Sequence, residues 1–136
     1  PAVARHYLHI GFRQFHRAKG EPSLQRVCNA LRPALVLRWM RVHPGAAVPP
    51  MALATLVVES DLDLAERALI TQLVELKART REARRAAVPD GIGLIVGREL
   101  VEEPWMHTVR PADETARVRE RAEAFFREAL VARWTA

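Results

Sequence analysis

A proline set inside an apolar, helix-patterned run is the feature that most constrains this chain. Residues 29–40 read Asn-Ala-Leu-Arg-Pro-Ala-Leu-Val-Leu-Arg-Trp-Met, with Pro33 next to Arg32 and Arg38 one turn and a half further on. An interior proline deletes one helical hydrogen bond and drives its ring against the preceding turn, at a cost of roughly 3 kcal/mol. Around it Leu24, Val27, Leu31, Leu35, Trp39 and Val42 recur on one stripe. The spacing predicts a helix that runs through the proline, kinked at Pro33 and held by what packs on its apolar side.

The same period extends over most of the chain. Ala4, Leu8, Gly11, Phe12 and Phe15 mark a first helix from Val3 to Ala18, and Glu21-Pro22-Ser23 breaks it, with Ser23 the N-cap of the next. His43-Pro44-Gly45 and Val48-Pro49-Pro50 form a stiff connection, followed by a short apolar helix from Met51 to Val58. A long helix is expected from Asp63 to Ala87 with Leu69, Leu73 and Leu76 inward, then a glycine-rich helix opened by Asp90 and reaching Glu102. A short strand over Ile92–Val96 is the alternative there, because each glycine weakens a helix by about 1 kcal/mol relative to alanine. Glu103 to Pro111 suits a loop. A last amphipathic helix from Ala112 to Trp134 is expected to bury Val118, Ala122, Phe125, Ala129 and Leu130. The fold class is all-α, a bundle of five to six helices in one domain over residues 1–136, with residues 111–136 as its C-terminal helix.

Composition supports a folded globule. With 49% hydrophobic residues in 136, the chain has enough apolar surface for a real core, and at 6% aromatic it must build that core from Leu, Val and Ala. No apolar run approaches the ~18 residues that a membrane span needs. The lone Cys28 excludes a disulfide framework and suits a reducing, cytoplasmic setting. The formal net charge is +5, and Lys19 and Lys77 are the only lysines. Arginine forks match phosphate geometry, so polyanions are natural partners, although a GC-rich genome yields the same bias.

Read in order, His6-Tyr7, Phe12-Arg13-Gln14-Phe15, Leu31-Arg32-Pro33-Ala34-Leu35 and Arg38-Trp39 resemble the C-terminal half of predicted nucleotidyltransferases of the YcgL type, the RNA-repair-associated RlaP family of DNA polymerase beta relatives. The resemblance covers about residues 5–102; the arginine- and phenylalanine-bearing C-terminal segment lies outside it. It implies that the catalytic half precedes residue 1, that the intact enzyme uses an NTP with Mg²⁺, and that RNA is among its acceptors. In that arrangement the helical half closes one side of the active-site cleft, and His6, Arg13, Arg32, Arg38 and Trp39 are the residues it would use to bind nucleotide or acceptor.

Each candidate has a plainer alternative. On a helical wheel Arg5, His6, His9, Arg13, His16 and Arg17 fall within roughly 120°, giving a basic, histidine-bearing face whose charge grows as imidazoles protonate. A phosphate-contacting surface and a merely solvated face both fit. His6-x-x-His9 has metal-ligand spacing but lacks the third and fourth ligands that zinc needs, so no metal site is assigned. Arg32 and Arg38 point about 240° apart, so one is expected to reach a polar groove and the other to serve freed carbonyls or a buried acid, with Trp39 in the core. Asp61-Leu62-Asp63 imitates the Asp-x-Asp pair of nucleotidyltransferases, yet it follows no Gly-Ser turn and opens a helix, where acids offset the dipole. Gly91, Gly93 and Gly97 have the wrong spacing for a dinucleotide loop; the last two, four apart, suit a close helix approach. Arg38-x4-His43 matches the loose signature of HEPN ribonucleases, in which the arginine steadies a phosphate and the histidine acts in acid–base cleavage.

The sequence thus points to a helical accessory or substrate-binding domain of a nucleotidyltransferase, without catalytic residues of its own and working with an N-terminal catalytic domain. The alternatives are a HEPN-like ribonuclease using Arg38 and His43, and a basic helical module that binds nucleic acid or a partner, with the C-terminal helix as a homodimerisation arm.

Overall fold

The structure, a computed structural model, describes residues 2–16, 23–46, 48–80, 87–107 and 112–134, the last stretch with side chains at 114, 116–125 and 127. Among the described residues all regular structure is helical: α1 (Ala2–Phe15), α2 (Leu24–Val42), α3 (Leu53–Glu59), α4 (Leu64–Arg79), α5 (Ile92–Glu99), a 3₁₀ turn (Pro104–His107) and α6 (Ala112–Trp134). The chain divides into two compact units, residues 1–106 and residues 107–136.

In the first unit α2 is the axis. Its buried residues include Leu24, Val27, Leu31, Leu35 and Trp39 of the expected stripe, but also Ala30, Pro33, Ala34, Val36 and Leu37. A helix covered on nearly every side has no single apolar stripe; α1, α5, α3 and α4 all pack on it. Val42, at its end, is 39% exposed instead of buried. The helix is continuous through Pro33, whose ring lies in the core. Ser23 is the N-cap by position, yet its side chain makes no capping hydrogen bond.

Packing explains where the helices meet. α1 buries Ala4, Leu8 and Gly11 at i, i+4 and i+7. A β-carbon added to Gly11 would overlap Leu100 Cδ2, so this glycine sets the closest approach of α1 to the end of α5. The approach expected at Gly93 and Gly97 is looser: both lie beneath the Phe15 ring, where a β-carbon on Gly97 would stand an ordinary 3.5 Å from Phe15 Cε1.

Several expected boundaries move. α4 ends at Arg79, well short of Ala87, because Thr80 turns extended and returns both its amide and its hydroxyl to the Leu76 carbonyl. α5 covers only Ile92–Glu99, and its N-cap is Gly91 at φ 90°, a left-handed position that suits glycine, not Asp90. Ile92–Val96 is helical, which removes the strand alternative. Residues 17–22 and 81–86, within or beside the expected ends of the first and fourth helices, lie outside the described residues. In the second unit, α6 has the expected span. Val118 and Phe125, expected to be buried, are 47% and 70% exposed, while Ala129 and Leu130 lie outside the described side chains.

Candidate functional site

Two sets of cations stand out, and they are employed differently. The first gathers around Glu99. On α5, Ile92, Ile95, Val96 and Glu99 form one buried stripe at i, i+3, i+4 and i+7, so the carboxylate is delivered into the core with no exposed surface. Three guanidinium groups meet it: Arg38 Nη1 at 3.1 Å and Arg98 Nε at 2.9 Å on Oε1, and Arg41 Nη1 at 2.5 Å on Oε2. Arg41 Nη2 also donates to the Glu99 carbonyl at 3.2 Å. The cluster reaches two more acids. Arg98 Nη2 donates to Glu66 Oε1 at 2.6 Å, and Arg41 Nε lies 2.6 Å from Glu103 Oε1 at an angle that makes it an ion pair without a hydrogen bond. Three arginines thus face three carboxylates. Burial pushes the Glu99 carboxyl up, but the hydrogen bonds from Arg41 and Arg98 outweigh it and hold the group below its ordinary value.

Arg38 has further duties. Its Nε donates to the Ser60 carbonyl at 2.7 Å and its Nη2 to the Asp61 carbonyl at 2.6 Å. It therefore clamps the junction of α3 and α4, where Asp61 takes a left-handed φ of 50°. Trp39 is 6% exposed, donates from Nε1 to Glu59 at 2.8 Å and stacks on His43 with ring centroids 4.5 Å apart. His43 in turn places Nδ1 3.0 Å from the Trp39 carbonyl. Arg38 and His43, the pair of the ribonuclease alternative, are thus each engaged with separate parts of the protein.

The second set is the outer face of α1. Arg5, His6, His9, Arg13 and His16 are all exposed, as the wheel requires; Arg17 lies outside the described residues. Arg5 and Arg13 form no ion pair with any described residue. The His6 ring meets Tyr7 edge-on at 5.9 Å, and Phe12, 39% exposed, lies 4.8 Å from the His16 ring. Arg32 is likewise exposed, with one Nη1 hydrogen bond to the Met51 carbonyl. Of the five residues singled out in the sequence, His6, Arg13 and Arg32 therefore face solvent, while Arg38 and Trp39 are tied into the fold.

Asp63 caps α4: its carboxylate accepts from the Glu66 amide at 2.8 Å, and Glu66 accepts from the Asp63 amide at 3.0 Å. Among the described residues no group of three or more His, Cys, Asp or Glu is placed to hold a metal ion. No described helix is long and apolar enough to cross a membrane.

Sequence reasoning missed the Glu99 cluster. Its signal was available: an acid at the i+7 position of an otherwise apolar stripe must find cations, and Arg38 and Arg41, one turn apart on α2, could supply them.

Compared with known proteins, residues 1–128 match the model of a family described as RlaP, RNA repair pathway DNA polymerase beta family. The match takes in most of α6, so the C-terminal segment belongs to the family pattern as well. No curated protein and no solved structure matches the chain.

Proposed function

Because the chain belongs to the RNA repair pathway DNA polymerase beta family, we propose that it is the helical, substrate-binding accessory part of a nucleotidyltransferase. The enzyme would use an NTP with Mg²⁺, and its catalytic carboxylates would come from outside residues 1–136. The observation that carries this reading is the outward cation row of α1, which no acid among the described residues answers. The occupation of Asp63 in a capping box supports placing the metal chemistry elsewhere, since a carboxylate that closes a helix end is not free to bind an ion.

Within this reading His6, Arg13 and Arg32 contact substrate, and Arg38 and Trp39 support the scaffold that presents them. The binding reading covers both free nucleotide and RNA acceptor. The test is kinetic. In the intact nucleotidyltransferase, Arg13→Ala with Arg32→Ala should raise KM about tenfold or more while leaving the unfolding midpoint in place. Unchanged KM and turnover would remove the binding role.

A further inference from the structure

Residues 1–58 contain eight lysines and arginines and a single carboxylate, Glu21. Neither α1 nor α2 carries an acid of its own. Among the described residues the structure corrects this imbalance at Arg38 and Arg41, which are answered by Glu99 and Glu103. Arg5 and Arg13 are left, among the described residues, as uncompensated positive charge on the surface, which attracts an anionic partner.

Their arrangement says what kind. Arg5, His9 and Arg13 stand at i, i+4 and i+8 on α1, so each lies about 6 Å further along the axis at 1.5 Å per residue. That step is comparable with the separation of successive phosphates along a nucleic-acid strand. Each step also turns only about 40°, so the row winds slowly along one face. Beside it Phe12 keeps 39% of its surface in water, with the His16 ring against it. An exposed aromatic next to a cation row is the usual equipment for stacking an unpaired base. A membrane surface would instead require the apolar side of the helix, but Ala4, Leu8 and Gly11 are buried in the protein.

We infer that the outward face of α1 is a track for single-stranded RNA, with Arg5, His9 and Arg13 on successive phosphates and the Phe12–His16 pair stacking a base. This rests on the substrate-binding reading above and assigns the row to the acceptor strand, not to the nucleotide.

Fluorescence anisotropy with a labelled 12-nucleotide single-stranded RNA and the whole chain, from 50 to 200 mM salt, tests it. Arg5→Ala with Arg13→Ala should weaken binding at least tenfold and flatten the log–log salt slope by about 0.7 per cation removed. Phe12→Ala should weaken binding about tenfold with the slope unchanged. Arg79→Ala, which removes an exposed cation on α4, should change affinity less than twofold. RNA affinity equal to the parent's in the double variant, or an equal loss in Arg79→Ala, overturns the track. An NTP bound through Arg5 and Arg13 in place of RNA also overturns it, while the substrate-binding reading survives. Binding of neither RNA nor NTP defeats both. Anionic vesicles bound more tightly than RNA would reassign the face to a lipid surface and overturn the track.

Discussion

Two arginines of α2, Arg38 and Arg41, and the two of α1 carry the same guanidinium group to opposite ends. Arg38 and Arg41 are drawn inward onto the buried carboxylate of Glu99, and Arg38 adds the carbonyls of Ser60 and Asp61. Arg5 and Arg13 stand in water with no acid within reach among the described residues. The difference lies in the partners, not in the arginines. Where an acid from a distant element is buried alongside, the cation becomes part of the scaffold; where none is supplied, it remains available to an external anion. Counting arginines cannot separate the two, and only the placement of Glu99 does.

The comparison breaks most sharply at Glu99 itself. Glu99→Ala leaves Arg38, Arg41 and Arg98 crowded without their common counterion, and such a loss is expected to destabilise by about 3–5 kcal/mol in urea unfolding. Arg38→Ala comes next, at about 2–3 kcal/mol, because it frees a carboxylate hydrogen bond and the carbonyls at the α3–α4 junction. Gly11→Ala asks whether the α1 scaffold is equally exacting on its inner face; the overlap with Leu100 predicts a loss of about 1–3 kcal/mol. Acid titration sharpens the contrast further. Glu99 is held below its ordinary value, so its contribution is fully present above the ordinary carboxylate range and is lost as pH falls through the lowered folded value. Unfolding midpoints followed from pH 7 downwards should therefore stay level to about pH 4.5 and then fall, with a shallower fall in Glu99→Gln. Smallest of all, Arg5→Ala and Arg13→Ala should each alter stability by no more than about 0.5 kcal/mol. A larger loss would mean that the outer row is structural after all.

Much of the fold was legible because helical periodicity is local. The spans of α1, α2, α3 and α6 follow from the spacing of their apolar residues, and Asp63 announces α4 as its cap. The stop at Thr80 was not legible, since the residues after it remain good helix formers and the turn is made by Thr80 bonding back to Leu76. Nor was the cap at Gly91, where Asp90 is the more obvious candidate by residue type. For the candidate site, the outward set of α1 was visible from the wheel alone. That Trp39 belongs to the core, and that one of Arg32 and Arg38 serves carbonyls or a buried acid, was legible too; which arginine does so and which acids answer were not, because Glu99 is sixty-one residues beyond Arg38 and Glu59 twenty beyond Trp39. Long-range pairing of this kind leaves only a faint trace in one sequence, here the lone acid at the end of the Ile92, Ile95, Val96 stripe.

The most direct test of the division between scaffold and surface arginines is a parallel urea unfolding of Arg38→Ala and Arg13→Ala at neutral pH. A midpoint clearly lowered in Arg38→Ala and unmoved in Arg13→Ala is the predicted result. Equal midpoints, or a greater loss in Arg13→Ala, would contradict it and return Arg38 to the set of residues free to bind substrate.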